Sequence, residues 1–220
     1  SYTLITLGGV NMVTIDFLKA DIIEEITRIY GYDNFEIFTA VSPLLPVRKE
    51  ILKSDEDRMK DLLVKSFRMH EVHSYIWSDI QKNRELGIET PDNVRIINAQ
   101  TPDHAILRVS MIPTLLSFVK DNRAYADDFG IFEIGHTVCG LREDGMCDEH
   151  KKLAITLYSK TRDTEKIYFE LRDILAVLAD DIKHEPLTFE KAEATHSYQH
   201  PKNLNKIFCA GKLLGEMGIV

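Results

Sequence analysis

The stretch from Ala20 to Asn34 constrains the fold most, because a helix, a stop and a turn follow one another in it. Ile22, Ile23, Ile26, Ile29 and Tyr30 recur at helical spacing and predict an amphipathic helix with one buried stripe. Asp21, Glu24 and Glu25 stand at i, i+3 and i+4, so three carboxylates fall within one helical turn. Gly31 predicts a left-handed end to the helix, and Asp33-Asn34 a turn after it.

Two readings of those acids stay open. Asp21 with Glu24 matches a capping box, acids in a first turn suit the helix dipole, and Glu24 and Glu25 are spaced to pair with Arg28. The other reading is a hard-cation site. Mg²⁺ takes oxygen ligands and is commonly held by one or two carboxylates plus water.

Composition narrows the class. The 220 residues suffice for one large domain, or one domain and a smaller piece. Hydrophobic residues at 44% and charged residues at 28% describe an ordinary soluble globular chain. No apolar run approaches the roughly 20 residues of a membrane span, and the first residues do not read as a secretory signal. Cys139, Cys147 and Cys209 are odd in number and lack CxxC spacing, which fits a reducing cytoplasm better than a disulfide framework or structural zinc. A net charge of −8 argues against a large basic nucleic-acid surface.

Residues 1–40 read as the end of a small helix-containing domain, with Gly8-Gly9 as a turn and 12–18 as a strand. The apolar ends of the chain suggest a cut piece of a longer one. Residues 35–46 read as an extended connector bracketed by Pro43 and Pro46. A core from 41 to 220 follows. Its predicted helices cover 49–70, 78–86, a segment starting at Pro113, and 164–180; its predicted strands cover 71–77, 94–98, 131–138, 152–158, 184–191, 205–210 and 213–220. Residues 140–149 read as a polar loop, and Gly211-Lys212 as a hairpin turn.

Three segments carry a resemblance. The run Asp21–Phe35, with its Tyr30-Gly31-Tyr32-Asp33-Asn34, resembles a signature of the β subunit of phenylalanyl-tRNA synthetase. So does the ordered set Asn98, Leu107-Arg108-Val109-Ser110, Pro113-Thr114-Leu115-Leu116 and Phe132-Glu133-Ile134-Gly135. His200-Pro201 opens a segment similar to that subunit's last core hairpin, with Lys202 where the family has glycine. The resemblance implies an α+β fold: a mainly antiparallel sheet flanked by helices, the core of a class II aminoacyl-tRNA synthetase without its catalytic residues. It implies an α-subunit partner that does the chemistry within a heterotetramer. The whole enzyme uses ATP to attach phenylalanine to tRNA(Phe). It also implies a Mg²⁺ site on Asp21, Glu24 and Glu25, with Asp16 as the upstream acid. Asp16 stands one residue closer to Asp21 than the pattern has it, with Ile15 at the expected position.

The residues agree with a non-catalytic core. Strand 129–135 carries Glu133 but no arginine two residues before it, and no phosphate-binding glycine loop or nucleophile elbow is present. Arg108, just ahead of a helix, has two readings: a fork that holds a carboxylate, or a structural ion pair within the core or at the α–β contact. A free-standing synthetase-like paralogue, used as a binding or regulatory module, is the second functional reading. It rests on the departures at Ile15 and Lys202.

Overall fold

The computed structural model describes residues 3–5, 13–15, 19–39, 41–91, 94–101 and 105–220. The chain divides into two compact units, Ser1–Arg48 and Lys49–Val220.

In the first unit, β1 (Thr3–Ile5) pairs antiparallel with β2 (Val13–Ile15). Helix α1 spans Lys19–Tyr30. It starts two residues before Asp21, which therefore lies inside the first turn and not at the N-cap, so the capping-box geometry does not form. Its stripe is also not buried: Ile22, Ile23 and Ile26 are 52–61% exposed and Ile29 is 90% exposed. Spacing sets which residues share a face, but burial needs a second layer, and no described element supplies one. Gly31 ends the helix at positive φ, 89°, as expected of it, with ψ at 128° outside the αL well. Its N–H donates to the Thr27 carbonyl at 2.9 Å, and the Asn34 amide donates to the Tyr30 carbonyl at 2.5 Å.

The second unit opens with α2 (Ile51–Asp61), which widens into one π-turn at Leu62–Ser66. Then come β3 (His70–Glu71), β4 (Trp77–Ser78), α3 (Ile80–Glu85), β5 (Ile106–Leu107) and α4 (Ile112–Asn122). A long hairpin of β6 (Asp128–Leu141) and β7 (Cys147–Ser159) follows, then α5 (Thr164–Lys183), β8 (Leu187–Lys191), β9 (Leu204–Cys209) and β10 (Lys212–Gly218). The sheets are mixed: β3 lies parallel to β6, while β6–β7, β4–β5 and β8–β9–β10 are antiparallel.

One core joins α2, α5 and the central sheet. Leu63, Met69, Phe132, Ile134, Ile174 and Leu178 pack together, and Met59, Leu62 and Phe67 of the predicted α2 stripe close around them. Ile131 through Gly135 are buried without alternation, because both faces of β6 are covered. Phe132 and Ile134 face the helical core, whereas Gly135 faces Arg108 and Met111. Helix α4 has Pro113 in its first turn, where a missing N–H costs nothing.

Some predicted elements change. The strand read over 71–77 is two strands, because β3 pairs with β6 and β4 with β5. The strand read over 94–98 reduces to one bridge, Arg95 to Ile106, since β5 offers only two residues. The loop read over 140–149 shrinks, as β6 runs to Leu141 and β7 starts at Cys147. The last hairpin turns on Ala210 and Gly211, at φ 47° and 75°, so the turn lies one residue before the predicted pair.

Candidate functional site

The most deeply buried charged group among the described residues is built on Arg108. Its backbone is fixed first: the Arg108 N–H donates to the Ile76 carbonyl, and the Arg108 carbonyl accepts from the Val138 N–H, both at 2.8 Å. The side chain therefore projects across β6. Its Nη2 meets Glu133 Oε1 at 2.8 Å, Nη1 donates to Ser74 Oγ at 2.6 Å, and Nε donates to the His136 carbonyl at 2.8 Å. Ser74 Oγ in turn donates to Glu133 Oε2 at 2.7 Å. The two side chains of the ion pair are only 3% and 2% exposed.

This geometry explains why Leu107-Arg108-Val109-Ser110 and Phe132-Glu133-Ile134-Gly135 occur together. The second segment supplies the carboxylate and also the room. A Cβ on Gly135 would stand 2.3 Å from Arg108 Nη2 and 2.9 Å from Glu133 Oε1, closer than atoms can pack. Ser110 Oγ then accepts from the Ile112 N–H at 3.2 Å at the start of α4. Sequence reasoning found Arg108 and noted Glu133, but missed Ser74. A serine in a segment with strand-like composition carries no local signal of a partner 59 residues away.

A second charged group ties α2 to the sheet. The buried Glu56 carboxylate accepts from Lys151 on β7 at 2.5 Å and lies 3.2 Å from Lys53 and 3.3 Å from Lys60. The Lys151 hydrogen bond leads in holding its pKa down at about 2, against the desolvation that raises it. Lys60 also meets Glu71 at 2.6 Å, which raises the lysine pKa.

In α1, Glu25 pairs with Arg28 at 3.4 Å, one of the two pairings expected of Arg28. Among the described residues no group of three His, Cys, Asp or Glu side chains is arranged to hold a metal ion. Asp16 lies outside the described residues. His196, read as a loop residue, stacks on Tyr198 and has its Nδ1 2.9 Å from the Gly87 carbonyl.

An open cleft of about 340 Å³ is lined by Ile80, Arg84, Ile88, Glu89, Thr90 and Arg95, among others. Among the described residues its lining holds no histidine, cysteine or lysine. The Thr90 hydroxyl accepts from Asn83 at 3.1 Å.

Residues 41–220 match the family described as phenylalanyl tRNA synthetase beta chain CLM domain. The chain belongs to this family. Its relatives include the phenylalanine–tRNA ligase beta subunits of Syntrophus aciditrophicus (strain SB), 27% identical, and Ehrlichia canis (strain Jake), 26% identical. Each alignment covers 91% of this chain and 26% of the relative. The chain thus spans about a quarter of the length of these relatives. A solved pyrrolysyl tRNA synthetase, Desulfitobacterium hafniense PylSc, has a similar fold, with a TM-score of 0.56 at 15% identity over 74% of this chain and 56% of that one. No helix among the described residues is long and apolar enough to cross a membrane.

Proposed function

We propose that this family member is the architectural, non-catalytic core of the β subunit of phenylalanine–tRNA ligase, with a class II synthetase-like fold. It pairs with the α subunit in a cytoplasmic heterotetramer and supports the active site there. The assembled enzyme uses ATP to attach phenylalanine to tRNA(Phe). The single observation that carries this reading is the state of Arg108. A synthetase holds phosphates with guanidinium groups that a ligand can reach. Here the arginine before α4 is buried at 3% exposure and engaged by a carboxylate, a hydroxyl and a carbonyl. Its role in this reading is to lock β6 to the segment that leads into α4.

Magnesium enters only for the assembled enzyme. Asp21, Glu24 and Glu25 would supply carboxylate oxygens, and the remaining ligands would come from outside the described residues. When bound, the ion would stabilise the contact with the α subunit.

The test is size-exclusion chromatography of the chain mixed with the α subunit, with and without Mg²⁺. A co-eluting complex is expected. A failure of the two chains to associate at micromolar concentration contradicts the subunit reading. Replacing Asp21, Glu24 and Glu25 by Asn and Gln should weaken any Mg²⁺-dependent part of the association. An unchanged Mg²⁺ response contradicts the metal assignment alone.

A further inference from the structure

We infer that the extended connector from Glu36 to Val47 is a docking strap for the catalytic partner subunit. The inference rests on the subunit reading and adds to it the segment that makes the contact. Ile37, Phe38, Val41, Leu44, Leu45 and Val47 are 76–101% exposed. Single exposed apolar residues are ordinary, but six along one short extended segment are not. From the usual burial energies of such side chains, each carries roughly 60–120 Å² of apolar surface. Together they present about 350–700 Å², close to the ~800 Å² that one partner contributes to a standard stable interface.

The backbone points the same way. The described residues of the strap belong to no helix or strand, and among the described residues their main-chain groups make no hydrogen bond. Free main-chain donors and acceptors beside apolar side chains are what strand addition and groove binding both use. Pro43 and Pro46 hold the chain extended, so less conformational entropy is lost on docking. Charge is nearly absent: Glu36 is the one charged residue between 36 and 47, in a chain that is 28% charged. A nucleic acid or an anionic lipid surface has nothing basic to grip there. The chemistry fits a protein partner that presents an apolar groove with its own main-chain hydrogen-bonding groups.

Hydrogen exchange of the chain alone and in complex with the α subunit tests this. In the complex, amides of 36–47 should exchange at least about tenfold more slowly than in the free chain. Leu44→Asp and Leu45→Asp, at sites 101% and 76% exposed, should leave the circular dichroism spectrum unchanged and weaken the complex about tenfold or more. A complex that forms with the strap still unprotected overturns the inference and leaves the subunit reading standing. Protection that grows with the concentration of the chain alone overturns it in favour of a second copy. A chain that forms no complex overturns both.

Discussion

Arg108 and Glu133 lie 25 positions apart, yet their contact organises the second unit more than any other polar pair among the described residues. Removing one partner leaves a buried charge alone, which costs about 3–5 kcal/mol. Glu133→Gln and Arg108→Met should each lower the melting temperature, and the paired change Arg108→Met with Glu133→Leu should recover much of the loss. Single variants that unfold like the parent would show that the pair is energetically idle. Glu56 sets a pH dependence. Its pKa in the folded chain is about 2, against an ordinary 4.5, chiefly because Lys151 donates to it. A depressed carboxylate contributes stability that is fully present above the unfolded pKa and lost as pH falls through the folded one. Acid titration of the melting temperature should therefore show part of its fall between pH 4.5 and 2. Glu56→Gln should flatten that part; an identical titration would place the acid sensitivity elsewhere.

Among the elements, helices were the most legible in the sequence. The stripe of Tyr168, Leu171, Ile174, Leu175 and Leu178 becomes the inner face of α5, with Ile174 and Leu178 buried. The periodicity is local, and its packing partner lies within the same unit. In α1 the same kind of pattern misled about burial, because the stripe shows a face and not what covers it. Strands 71–77 and 94–98 were misread for a related reason: composition signals extended chain, while the number of paired residues belongs to the neighbouring strand. The candidate site was legible only in halves. Arg108 and Glu133 could be singled out, but their contact depends on Gly135 leaving space, which shows only in three dimensions. The last hairpin gives a direct test at this scale. Gly211 has φ 75° and open space within 4 Å of where a Cβ would stand, so Gly211→Ala strains the backbone without a clash. The cost should be about 1 kcal/mol in chemical denaturation. A neutral result would mean that the turn relaxes to another conformer.

At the scale of the whole molecule, the second unit joins helices and mixed sheets around one core, with its buried polar groups used for cohesion. Such a body offers a partner a rigid support. Its Arg108 side chain, 3% exposed, is not accessible to ATP. The central claim is that the chemistry resides in the α subunit and this chain supports it. Phenylalanine-dependent exchange of pyrophosphate into ATP measures adenylate formation directly. It should be run on this chain alone and on its complex with the α subunit. The account predicts exchange from the complex and only background from the chain by itself. Turnover by the isolated chain, abolished by Arg108→Met without loss of folding, would contradict it.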